Sequence, residues 1–322
     1  MTTAPAPTRP TTETSRHRRR TRSVPVRTLL GVGAAAWLAV VLGACGDGSS
    51  SAVDAPAKAS AADQGRADAD PHTVDVVLDD FSFTAVDTEA APGPVTIRAR
   101  NEGAEPHQLT IGRPTGDLTA ANFAERFERD GEAAVIDQVE WAGGPNALPP
   151  GETGVAVADL APGDYIVVCF MPSADGTSHV MKGMVSELHV GEPDPTAPPT
   201  AEPVASETIE VEDFAIRLPE GFEGKGLVEL ANVGEQPHEL VLLRPRDGKG
   251  IADIVAWNEA GQQGPPPYDF AGGLGVIEAG TSGWTELDLE PGSYLAVCVV
   301  PDLLGDGAPH VDHGMVATFE VT

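Results

Sequence analysis

Four side chains able to bind a soft metal ion occur in the same order in two parts of this chain, eight in all. The run Asn101-Glu-Gly-Ala-Glu-Pro-His107 is followed by Cys169 and then by His179-Val-Met-Lys-Gly-Met184. The run Asn232-Val-Gly-Glu-Gln-Pro-His238 is followed by Cys298 and then by His310-Val-Asp-His-Gly-Met315. Both His positions and the Met recur after 131 residues, the Cys after 129. One thiolate, two imidazoles and a weak thioether form a ligand set that suits copper cycling between its two oxidation states. Taken singly, each residue has a plainer reading: a Cys ending a strand as a small buried hydrophobe, a Met as core filler, a His in a turn as solvated. It is the ordered recurrence that points to two metal sites. The same residues would also serve sites that hold copper weakly or only as copper(I). His313, between His310 and Met315, is an alternative ligand for the second site; His72 and His189 lack counterparts and read as surface residues.

Positioning such ligands requires a rigid scaffold, and the patterning supplies one. Short alternating runs such as Val74-Asp-Val-Val-Leu78, Val95-Thr-Ile-Arg-Ala99 and Val155-Ala-Val-Ala-Asp-Leu160 have counterparts in Ile209-Glu-Val211, Leu227-Val-Glu-Leu230 and Trp284-Thr-Glu-Leu-Asp-Leu289. Period-two patterning broken by Pro-Gly turns predicts antiparallel strands in a β-sandwich. Each copy also carries one helical insertion, near Ala120–Arg129 and Ile251–Ala260, followed by a Gly/Pro-rich loop. A Pro-rich stretch over 191–206 reads as an extended linker between units at 73–190 and 207–322.

Aromatic residues are only 5% of the chain, against 36 Gly and 29 Pro, as short strands joined by many turns require. Residues 1–44 hold seven Arg and one Glu, so the remainder carries 13 basic and 48 acidic residues, a net of −35. That surface argues against nucleic-acid binding and against charge-driven adhesion to anionic lipid. It fits a solvated exported surface or the docking of a basic redox partner protein. The arginines precede a 14-residue apolar core, Leu29 to Leu42, too short to span a bilayer and characteristic of a signal peptide. Leu42-Gly43-Ala44-Cys45 resembles the lipobox of bacterial lipoproteins, in which the leader is cut before the cysteine and the cysteine carries lipid. The resemblance implies lipidation at Cys45, a disordered tether over 45–72, and anchoring to the outer face of the cell membrane without a spanning helix. The two remaining cysteines occupy equivalent places in separate copies. Pairing them would need the cores of both units to meet, so each is expected to serve its own site.

The motifs together are specific enough to place. Each unit resembles a cupredoxin, the blue-copper Greek-key sandwich, over nearly all of 73–190 and 207–322. The shared features are Asp80-Phe-Ser-Phe83 and Asp213-Phe-Ala-Ile216, the Asn-x-Gly-x-x-Pro-His element, Pro-Gly-x-Tyr before the Cys, and the His-x4-Met ending, which is similar to the type 1 site of copper nitrite reductases. The resemblance implies an all-β fold of two tandem sandwiches and two type 1-like copper sites: His107, Cys169, His179 and Met184 in one, His238, Cys298, His310 and Met315 in the other. It also implies that Asn101 and Asn232 hold the Cys loop through hydrogen bonds. One departure is the spacing: nine residues separate Cys169 from His179 and eleven separate Cys298 from His310, more than in small electron-transfer cupredoxins. The chain has no His-x-His pair, and Val168 and Val297 stand where nitrite reductases place a His before the Cys. From these absences the expected role is non-catalytic. Electron transfer comes first; copper capture and handover, or partner binding without a redox role, is the alternative.

Overall fold

The computed structural model describes residues 72–85, 89–196, 200–261 and 264–322. The leader, Cys45 and nearly all of the tether lie outside the described residues. The first repeat runs β1 (Thr73–Asp79), β2 (Ser82–Ala85), β3 (Glu89–Ala90), β4 (Gly93–Asn101), β5 (Thr110–Pro114), α1 (Ala120–Asp130), α2 (Glu132–Ile136), β6 (Val139–Gly143), β7 (Thr153–Leu160), β8 (Gly163–Val168) and β9 (Val185–Val190). The second runs β10 (Glu207–Glu212), β11 (Ala215–Arg217), β12 (Lys225–Asn232), β13 (His238–Pro245), α3 (Ile251–Glu259), β14 (Tyr268–Ile277), β15 (Ser282–Asp288), β16 (Gly292–Val297) and β17 (Val316–Val321). The protein is all-β apart from short helices, and those fall where the sequence places its insertions. Strand alternation works as the pattern predicts: in β1, Val74, Val76 and Leu78 turn into the core. Helix α1 begins in a capping box, Thr119 Oγ1 accepting from Asn122 N–H and Asn122 Oδ1 accepting from Thr119 N–H.

Two sheets build both repeats. One has the order β11-β10-β12-β15-β7-β4-β1-β2, the other β17-β16-β13-β14-β6-β5-β8-β9-β3. Read inward from either end, equivalent strands follow one another, apart from the two-residue β3. Each repeat is thus a two-layer sandwich, and the repeats join edge to edge about a pseudo-twofold axis. Equivalent residues face each other across that axis: Ala156 pairs with Thr285 where β7 meets β15, and Pro145 bridges Leu274. Gly275 N–H donates to Gly144 O at 2.8 Å, and Asn146 N–H donates to Gly273 O at 3.4 Å, again equivalent bonds in opposite senses.

This corrects one expectation. The Pro-rich stretch does not hold two separate domains apart, because their sheets are continuous. The interiors merge too, since Phe123, Ile136 and Trp141 of the first repeat share one apolar cluster with Leu230, Leu240 and Leu274 of the second. The physical reason is the strand edge. An edge exposes a row of unpaired N–H and C=O groups, and two copies of one edge can satisfy each other at once in an isologous contact.

Candidate metal centres

Each centre sits where β-strand ends converge. In the first repeat His107 lies in the segment between β4 and β5, held by reciprocal backbone bonds with Leu148 (N–H to O, 3.0 and 2.8 Å). Cys169 directly follows β8, and His179 opens a 3-10 turn, His179–Lys182, that ends at Gly183 before Met184 and β9. In the second repeat His238 starts β13, Cys298 follows β16, and His310 opens the turn His310–His313 ahead of Met315 and β17. All eight side chains are buried, none exceeding 0% exposure.

The donor atoms converge. His107 Nδ1 and His179 Nδ1 are 3.0 Å apart, and Cys169 Sγ lies 3.9 and 3.4 Å from them. In the second centre the corresponding distances are 3.0, 3.8 and 3.5 Å. No disulfide links the cysteines, although the repeats do meet; both are free thiols. Met184 and Met315 sit beside them, their carbonyls accepting from Cys169 N–H at 3.3 Å and Cys298 N–H at 3.4 Å. Gln108 N–H and Glu239 N–H point at the sulfurs, at 3.4 and 3.5 Å.

What lies behind the imidazoles decides their tautomers. In the first centre His107 Nε2 meets Asp80 Oδ1 at 3.2 Å and His179 Nε2 meets Glu105 Oε2 at 2.9 Å. A carboxylate only accepts, so each Nε2 carries the proton and each Nδ1 presents a lone pair. Two buried lone pairs 3.0 Å apart, with a thiol beside them, repel unless a cation lies among them. The residues present therefore fit a soft metal ion. In the second centre His238 Nε2 meets Asp213 Oδ1 at 3.0 Å, but Gln236 stands where Glu105 does, and buried His310 Nε2 has no hydrogen-bond partner.

The electrostatics follow from burial. It pushes the Cys169 thiol up to about 12 and raises that of Cys298 as well, so each proton stays on sulfur until a metal displaces it. Burial depresses His107 and His238, and takes His310 to about 4, so these imidazoles are neutral and free to ligate near pH 7. Burial opposes ionisation of Asp80, yet backbone N–H groups of Glu105 and Ala104 outweigh it and hold the carboxyl below its usual range.

Asn101 acts differently from the expectation. Its Nδ2 donates to Glu105 O (2.9 Å) and Leu148 O (2.8 Å), and its Oδ1 accepts from Gly103 N–H, so it ties down the turn before His107 rather than the Cys loop. Asn232 does the same with Gln236 O, Ile277 O and Gly234 N–H. Gly103 and Gly234 are required there: a Cβ on either would come within 3.0 Å of the Asp oxygen and the His Nε2. His313 stands apart from the second centre, facing Asp306. His189 is exposed and bonded to Asp164, while His72 shares a hydrogen bond with Thr200.

Sequence reasoning missed several contributors. Asp80, Asp213 and Glu105 orient the imidazoles; Phe81 and Phe214 pack in edge-to-face geometry against His179 and His310, with ring centroids 5.1 and 5.4 Å apart. Both phenylalanines adopt the left-handed region, φ 67° and 65°, a strain that non-glycine residues accept only when their surroundings impose it. The repeated Asp-Phe dipeptide was the available signal. Asn146 was unsignalled: from the first repeat its Nδ2 donates to Glu239 Oε2 at 2.9 Å, next to the second centre, where burial pushes that carboxyl up to about 7.

No family model matches the chain, and no curated protein does. Among solved structures it is similar to reduced auracyanin from Roseiflexus castenholzii (21% identity, 37% of this chain and 97% of that one, TM-score 0.27). It is also similar to a multicopper oxidase (16%, 78% and 88%, TM-score 0.22) and to the copper-containing nitrite reductase of Thermus scotoductus (14%, 78% and 61%, TM-score 0.21). The expectation of a non-catalytic protein is corrected at this point: imidazoles flank each cysteine in space even though valines precede them in sequence, so the residue order does not exclude catalysis. The missing His-x-His pairs therefore exclude nothing. The fold and the paired His-Cys-His groups define a cupredoxin-like tandem protein with copper-type sites.

Proposed function

We propose that the protein is an exported electron-transfer protein with two type 1-like copper centres, anchored outside the cell membrane through lipidated Cys45 and exchanging electrons with a partner protein. His107, Cys169, His179 and Met184 would hold one ion, His238, Cys298, His310 and Met315 the other. The observation carrying this reading is the pair of imidazole Nδ1 atoms 3.0 Å apart beside a buried thiol, present twice. Copper there would supply one-electron chemistry. The chain's part is to hold the donors rigidly, through Asp80, Glu105, Asp213 and the two asparagines, so that little rearranges between oxidation states. The test is anaerobic loading with copper(II): two ions per chain and thiolate-to-copper absorption near roughly 600 nm are expected. Absence of copper uptake would refute it. Among the described residues no helix is long and apolar enough to cross a membrane. The proposed anchoring at Cys45 is tested by radiolabelled fatty acid incorporated into the native chain and lost in Cys45→Ser. The long Cys–His loops favour copper capture and handover as a second reading, which tight copper(I) binding without a reversible redox wave would support.

A further inference from the structure

The two centres match closely, which isolates a difference behind the second imidazole of each. The Nδ1 atoms lie 3.0 Å apart in both. An Asp oxygen stands behind the first imidazole in both, 3.2 Å from His107 Nε2 and 3.0 Å from His238 Nε2. Phe81 and Phe214 pack alike against His179 and His310. The turn carrying each second imidazole is tied back to its Cys–His loop in both, by Lys182 Nζ to Asp175 Oδ2 and by His313 Nε2 to Asp306 Oδ1, each at 3.0 Å.

Behind His179 stands Glu105, whose Oε2 accepts from Nε2 at 2.9 Å. Glu105 is itself fixed: its carbonyl accepts from Asn101 Nδ2 at 2.9 Å, and its N–H donates to Asp80 Oδ1 at 3.2 Å. His179 is thereby bolted to the turn that also holds His107. In the second repeat Gln236 occupies the equivalent place, and its carbonyl accepts from Asn232 Nδ2 in the same way, at 2.8 Å. Its side chain is engaged elsewhere, Oε1 accepting from Leu304 N–H at 3.1 Å. Buried His310 Nε2 is left without a hydrogen-bond partner. With Nδ1 free to ligate, that nitrogen carries a proton with no acceptor, and such burial costs free energy. His310 also lies on the longer loop, eleven residues after Cys298 against nine in the first repeat, which costs more entropy to order.

We infer that the two centres divide the handling of the ion: the first retains it, while the second, with His310 unanchored, holds it more weakly and exchanges it with ligands in solution. Glu105 is the positioning residue behind the difference. The inference rests on the copper-binding reading above. A hydrogen-bond partner behind a metal-ligating imidazole is typically worth ~10–100-fold in affinity, because it fixes the ring's orientation and raises its basicity.

The test uses the full chain loaded anaerobically with copper(I), at high ionic strength to screen exposed loop carboxylates such as Asp175 and Asp306. Copper(I) is titrated away with bathocuproine disulfonate, whose coloured complex reports the ion removed. Cys169→Ser and Cys298→Ser, each keeping one centre, assign the two phases. The second centre is expected to hold its ion ~10–100-fold more weakly than the first. Glu105→Ala should weaken the first centre by ~10-fold or more and leave the second unchanged. In the metal-free chain the same substitution should expose the His179 Nε2–H signal, followed by NMR, to faster exchange with water. Equal affinities at the two centres, or a first centre unaffected by Glu105→Ala, would overturn the inference while leaving two copper sites in place. A native chain that binds no copper(I) would instead refute the copper reading itself, and this inference with it.

Discussion

Replacing Asn146 with alanine tests how firmly the repeats are joined beside the second centre. Its carboxamide is fully buried and donates to Glu239 Oε2 at 2.9 Å, with longer contacts to Leu274 O and Leu240 O at 3.3 and 3.4 Å. Deleting it leaves the Glu239 carboxyl short of a donor, at a cost of about 1–3 kcal/mol, and opens a small cavity costing about 1 kcal/mol more. Against this, Asn146 Oδ1 is itself buried without a partner, and removing it returns about 1 kcal/mol. The net expectation is a loss of about 2 kcal/mol. Metal-free protein unfolded in urea, followed through the fluorescence of buried Trp141, should show it as a midpoint lower by about 1 M for a slope of about 2–3 kcal/mol/M. Glu239→Gln is the control, because its amide can donate to Asn146 Oδ1 while still accepting from Nδ2, so it should be neutral or stabilising. A double-mutant cycle of Asn146→Ala with Glu239→Ala, which removes the bond from either side, should give a coupling of about 1 kcal/mol or more. If Asn146→Ala falls within about 0.5 kcal/mol of the wild type, or the coupling is zero, the bond across the junction contributes nothing and the argument fails.

Other consequences can be measured on the same material. Cys169→Ser and Cys298→Ser should each remove one copper and its share of the absorption while leaving the other centre loaded; loss of both ions from either variant would mean ligands shared across the junction. Gly144→Ala and Gly273→Ala should each cost about 3 kcal/mol or more, because both glycines hold positive φ and a Cβ would strike the carbonyls of Leu109 and Leu240; an unchanged thermal midpoint would refute this. Burial raises the Glu278 carboxyl, which accepts from Trp141 N–H across the repeats at 3.0 Å. Its native state therefore holds the proton to higher pH than the unfolded chain does, so this contribution is fullest in acid and is lost as pH rises through the folded value. Glu278→Gln should flatten that decline in the pH–stability curve, and parallel curves for variant and wild type would contradict it.

The ligand sets, the strand alternation and the helical insertions are local features, and local features are legible in residue order. His107, Cys169, His179 and Met184, with their four counterparts, could be named because metal chemistry restricts residue types and duplication preserves spacing. The β-sandwich could be named because burial on one face of a strand imposes a period of two. The tertiary structure alone decided what depends on distant segments meeting. That Asp80 and Glu105 fix the tautomers of His107 and His179, while His310 lacks such a partner, follows from turns brought together by the sheet. That two repeats share continuous sheets follows from edge strands, whose unpaired backbone groups look alike in any sequence. Nothing in the residue order says whether such an edge meets water, another molecule or its own copy; here β7 meets β15, and so Asn146 of one repeat comes to lie against Glu239 of the other.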